Sequence, residues 1–532
     1  MRCQEDDMAV VTYLDTPLDG LLRRAAARAG DRPALTTAAG TRTYAGLDRT
    51  ADRVAHAVDR AVRRPDGGAV VVCAPHPDIA AVYFGAVRSG RPLALLDPSA
   101  GAAAVGELCA AVHAEIAFVP AELAGLFRAA GGRLHTVVVL EPAGRPAHTA
   151  EPPARAAGVC AVPWAAAVGE GPGTPFRSPV TDADTVACVQ LVPHPATGAR
   201  ILALTHRNLL ANAAQIVVAC GLDAGSVVVD HLPARHPSLM GAAVHAGAEQ
   251  VLVADPDPCA GMVQCRRLRA THYFGPSARL TRLAEDERFA GHRAPLPGGH
   301  LRAVLCADGA LEAETARRLR HALRVPVLQG YGVGGLSVLS HVQAPATQPV
   351  LGAVGASLPG TECRVVHPVS REPVSTWSGG EVEIRGPQVP SRPAGGWLAT
   401  GDLGYLDLDD RLHLVARPAA VFLSGDTVVV PGMVERVLRS DPRVADCVVT
   451  EWPDAAHGAV VWAGVVLHRT ADGAPRTPAV LADVAARANA LLGPAEQIRH
   501  LDALDAVPRT TDGRPARRRL GQHTGRASAD AA

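Results

Sequence analysis

Short, continuously apolar runs alternate with amphipathic segments of helical period through most of the chain, and this alternation limits the fold more than any other feature. "GGAVVVCAP" (67–75), "RPLALLDP" (91–98), "AEQVLVADP" (248–256), "RAVLCADG" (302–309) and "VPVLQGYG" (325–332) read as strands. "PLDGLLRRAAARAG" (17–30), "PDIAAVYFGAVRSG" (77–90) and "ALEAETARRLRHAL" (310–323) read as helices, the second of them closed by Gly90. Strands without polar alternation are buried on both faces, which calls for parallel sheets covered by helices. The expected fold is α/β: a large domain of layered α/β subdomains with mostly parallel sheets and a smaller β-rich part. After "GEVEIRGP" and "DRLHLVARP" the pattern becomes α+β, with "TVVVPGMVERVLRS", "ADCVVTEW", "VVWAGVVLH" and "PAVLADVAARANALLG". The expected division is therefore 1–417 for the large domain and 418–532 for a small C-terminal one.

The 532 residues exceed the roughly 250–300 that one hydrophobic core serves, so more than one domain is expected. With 52 basic against 52 acidic residues, no net field favours nucleic acid or an anionic membrane. The eleven cysteines are scattered without a C-x-x-C pair and read as small buried hydrophobes, neither a disulfide framework nor a zinc site. The start, "MRCQEDDMAVVTYLD", is acidic where a secretion signal is basic and then apolar, and no apolar run reaches the ~18 residues of a membrane span. A cytoplasmic protein is expected. Residues 141–181 hold many turn formers and read as a long surface connection with one short strand near Val159–Val162.

One stretch has the outline of an anion-binding loop. An apolar run, "VACVQLV", leads into "PHPATGAR", and "THRNLLANAAQIVVAC" follows as a helix capped by Thr205. Strand, loop and helix N-terminus in this order aim backbone N–H groups at an anion. Such loops rely on several glycines and a lysine. Here Gly198 is the one glycine, and Pro193 and Pro195 each remove a donor. The chain contains no lysine at all, so an arginine in a lysine's place says little, whereas a missing glycine says more.

Further blocks follow in order: "DRPALTTAAGTRTYAGLDRTADRVAHAV", "LLDPS", "LTHRNLLAN", "VPVLQGYG", "GAVGASLPGTECRVV", "GGEVEIRGP", "GWLATGDLGYLDLDDRLHLVAR", "PGMVERVL" and "VPRTTDGRPARRRL". Their order and spacing resemble the acyl-adenylate-forming superfamily of acyl-CoA synthetases, fatty acyl-AMP ligases and peptide-synthetase adenylation domains, over roughly residues 15–520. The resemblance implies attack of a carboxylate on the α-phosphorus of ATP, departure of pyrophosphate, and passage of the acyl group to a thiol or amine. ATP or AMP is the implied nucleotide. A small carboxylic acid is the implied substrate, and CoA or a phosphopantetheinyl acyl carrier protein the implied acceptor.

On the adenosine side the resemblance assigns Asp402 of "TGD" to the ribose hydroxyls and Arg417 to the ribose and phosphate region; a carboxylate suits two O–H donors on one ring. Tyr331 and Gly332 match the aromatic-plus-glycine turn under adenine, and "CADGAL" (306–311) stands where a "GGAP"-type segment contacts the base. Taken alone, Asp402 reads as a turn residue and Arg417 as a solvated cap. On the phosphate side the implied residues are Thr197, Gly198 and Arg200 in the loop and Arg514 as the cation between carboxylate and α-phosphate. Arginine is a planar fork and not a compact ammonium, and Arg514 also reads as one member of a basic run with Arg517, Arg518 and Arg519. The family's Mg²⁺-binding glutamate is replaced by glycine at Gly335, leaving no side-chain oxygen, so no metal ligand is assigned and Mg²⁺ binding is in doubt.

At the hinge after Arg417 stand Pro418, Ala419 and Ala420, and proline stiffens a pivot. His236 and Phe274 are the acyl-pocket candidates, with a satisfied structural histidine and a core aromatic as the alternatives. Three functional readings remain open: a working acid-activating ligase, an impaired homologue that binds an adenylate or partner as a scaffold, and an enzyme confined to acyl transfer.

Overall fold

The computed structural model describes residues 14, 16–98, 100, 102–129, 132–141, 159–169, 174–194, 198–232, 237–290, 299–308, 311–333, 338–343, 350, 352–390, 396–416, 422–424, 427–429, 431–468, 478–490, 492 and 496–509. The chain divides into two compact units. One comprises Met1–Arg364, Glu383–Thr400 and Asp407–His413, the other Val365–Val382, Gly401–Leu406 and Leu414–Ala532.

Two large sheets organise the first unit. A seven-stranded sheet runs, in spatial order, Cys160–Pro163, Thr136–Leu140, Ala114–Pro120, Gly68–Val72, Leu93–Leu96, Val186–His194 and Gly198–Thr205. Every pairing is parallel except the last, an antiparallel hairpin. A nine-stranded sheet runs Ala356–Ser357, Val338–Val342, Val327–Val333, Ala303–Asp308, His272–Pro276, Val227–Asp230, Glu249–Leu252, Pro33–Thr37 and Gly40–Thr43, parallel in its middle and antiparallel at both edges. The apolar strands of the sequence are fully buried, as "VVV" of 70–72 and "LALL" of 93–96 illustrate. Gly90 takes φ 70° just past the helix Ile79–Arg88, where a side chain would be strained.

The α/β expectation holds, including the short strand after Val159, although the helix Trp164–Val168 was hidden in the turn-rich stretch. Among the described cysteines most are buried, and Cys160 is exposed. Among the described residues no helix is long and apolar enough to cross a membrane.

In the second unit Val444–Asp454, Gly458–Leu467 and Ile498–Ala503 form a three-stranded sheet backed by the helices Pro431–Arg439 and Pro478–Asn489. Their core gathers Val434, Leu438, Val449, Val461 and Val484.

Candidate functional site

The strand–loop–helix layout expected around this loop needs correction. Gly198–Thr205 is a strand, paired antiparallel with Val186–His194 through His194↔Gly198, Pro193↔Ala199 and Val192↔Arg200. The two strands form an antiparallel pair, and the eight residues of Gly198–Thr205 separate Thr197 in sequence from the helix His206–Cys220. That helix N-terminus cannot receive an anion, because its donors are already used. His206 N–H donates to Thr185 O, Arg207 N–H to Ala183 O and Asn208 N–H to Thr205 Oγ1, while Thr205 N–H donates to the Asn208 side chain. Thr205 is the cap that the sequence indicates, but it closes the helix where an open end was expected. Gly198 opens the second strand and Arg200 lies two residues along it; Thr197 lies outside the described residues.

Two of the segments that the resemblance assigns to the adenosine side meet. Strands Ala303–Asp308 and Val327–Val333 pair in parallel with Cys306 beside Gln329, so "CADGAL" and "QGYG" begin side by side. Gln329 binds them: its Oε1 accepts the Leu311 N–H at 3.1 Å, while its own N–H donates to Gln343 Oε1 at 2.9 Å. Tyr331 is 7% exposed and sits at a register shift of the strand, opposite His341. The rings of Tyr331 and His341 lie 5.9 Å apart, and Ser340 Oγ donates to Tyr331 O at 3.2 Å. His341 is held on both sides, by Ser340 Oγ at Nδ1 (3.0 Å) and by Ser357 Oγ at Nε2 (3.1 Å). Its complete burial lowers the imidazole to about 3, so it is neutral near pH 7.

Asp402 is not a turn residue. It lies half-buried inside the strand Leu398–Leu406, directly after Gly401 at φ 76°, a conformation that re-aims the chain at a cost only glycine avoids. Trp397, just before this strand, is flanked by the guanidinium groups of Arg364 and Arg385, 4.3 and 4.7 Å from its ring centre. Tyr331 and Gly332 belong to the first compact unit and Asp402 to the second. Arg417, Arg514, Gly335 and His236 lie outside the described residues.

Phe274 is a core residue, 2% exposed, packed with Ile216, Leu305 and Leu328. The same cluster holds Leu232 and Leu239, which bracket the segment containing His236.

The segment 327–342 beside Tyr331 offers a divalent cation no carboxylate, since it contains neither Asp nor Glu. The described residues place one group of His, Cys, Asp or Glu side chains close enough to share an ion, Asp257, Cys259 and Asp286. Arg288 occupies it, donating to Asp257 at 2.6 Å and Asp286 at 2.8 Å, and its hydrogen bonds hold the Asp286 carboxyl at about 2. Among the described residues this one group is taken up by Arg288, and no chemical step is assigned to a metal.

Buried carboxamides were missed by sequence reasoning. Asn208, Asn212 and Gln215 share one face of the helix His206–Cys220 and are all buried, and Gln329 and Gln343 tie the adenosine-side segments.

Comparison with known proteins agrees with this architecture. Residues 22–191 and 199–391 match the AMP-binding enzyme family, and residues 433–514 match the AMP-binding enzyme C-terminal domain. The chain is 29% identical to a salicyl-AMP ligase / salicyl-S-ArCP synthetase of Mycobacterium tuberculosis, over 96% of this chain and 91% of that protein. It is 24% identical to a long-chain-fatty-acid–CoA ligase of Bacillus subtilis over 60% of its own length, spanning 58% of that relative. The fold superposes on ATP-bound MatB from Rhodopseudomonas palustris with a TM-score of 0.75 at 23% identity, covering 96% of this chain and 99% of that one. The two family matches span both the sheets that carry the adenosine-side segments and the C-terminal α+β part, so the chain belongs to the AMP-binding enzyme family of acyl-adenylate-forming proteins.

Proposed function

We propose that the protein holds an acyl adenylate and hands its acyl group to a thiol of CoA or a carrier protein, or to an amine, with activation of the free acid by ATP as its slow step. The observation that carries this reading is the contrast between the two halves of the site. The adenosine side is a fully bonded frame, in which Gln329 joins "CADGAL" to "QGYG" and a neutral His341 backs Tyr331. The phosphate side is a hairpin that has proline at 193 and 195 in place of donors, and it borrows nothing from the helix that follows.

In this reading Tyr331 and Gly332 support adenine, Asp402 accepts from the ribose hydroxyls, and Arg417 and Arg514 supply positive charge near the phosphate. Thr197, Gly198 and Arg200 form what remains of the triphosphate contact, and His236 with Phe274 borders the acyl chain. Residues 1–417 form the nucleotide-binding part, and 418–532 reposition between the two half-reactions about a hinge stiffened by Pro418. Stabilising the charge of a leaving pyrophosphate needs fixed donors and cations, and each lost donor typically costs a factor of about 10²–10³ in rate. Acyl transfer from a ready-made adenylate makes no such demand. The salicyl-AMP ligase likeness, which covers nearly the whole chain, supports an aromatic or otherwise compact acid and a carrier-bound thiol as acceptor.

The test compares two assays on the purified protein. Synthetic acyl-AMP supplied with CoA or carrier protein is expected to give transfer far faster than acid-dependent ATP–pyrophosphate exchange across an acid panel. Exchange at ordinary ligase rates refutes the slow-step reading. Background in both assays, together with retained AMP binding, favours the second reading, a scaffold that senses an adenylate.

A further inference from the structure

The helix His206–Cys220 carries three carboxamides at i, i+4 and i+7, namely Asn208, Asn212 and Gln215, and buries all of them. A buried amide is destabilising unless its hydrogen bonds are made, so the partners of these three show what the helix face is for. Asn208 donates to Pro387 O at 2.8 Å and Val389 O at 3.1 Å. Gln215 donates to Pro359 O at 2.7 Å, touches Thr361 and Gln388, and accepts from the Asn212 side-chain N–H at 3.3 Å. Asn212 differs: it engages both backbone groups of one residue, donating to Leu339 O at 2.6 Å and accepting from Leu339 N–H at 3.1 Å. It thus presents to the strand Val338–Val342 the donor and acceptor pair that a neighbouring strand would offer.

Leu339 stands opposite Gly332 in the hairpin register. The next residue, Ser340, holds Tyr331 O, and His341 backs the Tyr331 ring. A Cβ on Gly330 would lie 3.0 Å from Leu339 Cδ1, so a shift of Leu339 is felt by the Tyr331 strand at once. At its other end the helix is continuous with the strand that carries Arg200.

We infer that Asn212 is a positioning residue that fixes the Tyr331–Gly332 end of the strand Val327–Val333 with respect to the phosphate hairpin, and so couples the two halves of the nucleotide site. It touches no nucleotide and acts through Leu339 and Ser340. The consequence for binding rests on the adenylate reading proposed above; the positional claim does not.

The experiment therefore has two arms and a matched control. Asn212→Ala removes both bonds to Leu339, whereas Gln215→Ala removes the Asn212–Gln215 bond and the bonds to Pro359, Thr361 and Gln388 and leaves both Leu339 bonds in place. By hydrogen exchange, Asn212→Ala is expected to speed exchange across 330–333 and 338–342 by about tenfold, with those segments unchanged in Gln215→Ala. By calorimetry with AMP, Asn212→Ala is expected to weaken binding by about tenfold, and Gln215→Ala by less than about twofold, even where both lower Tm alike. Should Asn212→Ala not fold, Asn212→Asp, which keeps the acceptor for Leu339 N–H and loses the donor, takes its place with the same expectations. Equal effects of the position 212 and 215 variants on hairpin exchange overturn the inference. Hairpin-specific exchange with unchanged AMP affinity overturns the coupling to binding. Absence of AMP binding in the unaltered protein counts against the adenylate reading, and the exchange arm still decides the role of Asn212.

Discussion

Gln329 and Gln343 clasp each other across neighbouring strands. The Gln343 side-chain oxygen accepts the Gln329 N–H at 2.9 Å, and the Gln343 N–H donates to Gln329 O at 3.0 Å. The far end of Gln343 donates to Val350 O and Ala353 O, and the far end of Gln329 receives Leu311 N–H. Replacing Gln329 by leucine keeps the volume but leaves the Leu311 N–H buried without that acceptor, which costs about 1–3 kcal/mol. Urea unfolding should show that loss. AMP affinity should fall with it, since the freed segment is the "CADGAL" loop; unchanged affinity would remove that loop from the nucleotide site.

His341 gives a pH signature. Its native imidazole titrates at about 3 because it is buried, against about 6.5 in an unfolded chain. A depressed pKa means that the unfolded state binds the extra proton, so the stability is complete above about pH 6.5 and drains away as pH falls toward the native value. Within that window each such histidine contributes a slope of about 1.4 kcal/mol per pH unit. His206, lowered by burial to about 4, acts in the same sense. Stability measured at pH 7 and pH 4.5 should fall less steeply in His341→Gln than in the parent, and equal slopes would contradict the buried neutral imidazole.

Arg88 is wholly buried and meets Asp52 at 2.7 Å, Asp48 at 2.5 Å and Asp19 at 3.5 Å. Burial raises the Asp19 carboxyl even with Arg88 and Arg23 beside it. Arg88→Met should destabilise the protein by about 3–5 kcal/mol, since it strands buried carboxylates, while Arg23→Met, at a one-third-exposed site on the same cluster, should cost clearly less. Denaturant midpoints of the two variants decide this, and a reversed order would show that Arg23 is the cluster's main cation.

The phosphate-side account is tested by restoration. Gly335→Glu together with Arg514→Lys returns a hard metal ligand and a compact cation, and ATP–pyrophosphate exchange should rise on the order of 10²-fold over the parent. No gain would place the deficit in the hairpin with Pro193 and Pro195.

Most strands and helices were legible because their apolar periods are long. The strand Gly198–Thr205 was not, for a physical reason. Its inward residues Leu202 and Leu204 are buried and its outward residues Ile201 and Ala203 exposed, yet all four are apolar, so the period-two alternation leaves no trace in hydropathy. The stripe of Asn208, Asn212 and Gln215 misleads in the opposite way. Three polar residues on one face of a helix read as the solvent side, and only the backbone groups that they meet reveal burial. Tyr331 and Asp402 were singled out as candidates through their blocks, whereas His341 and Gln329 have spacing that distinguishes them from nothing nearby.

The closed helix end also restricts how this protein can change over evolutionary time. Thr205 and Asn208 complete each other, and Thr185 and Ala183 take the next two donors, so no single substitution in "THRN" frees the end without first unmaking a cap. If activation is the slow step, as proposed above, a lineage that sped it up would have to do so elsewhere than at this helix end, one residue at a time. A cap whose two halves complete each other behaves as a ratchet: either change alone is a loss, so the end stays closed.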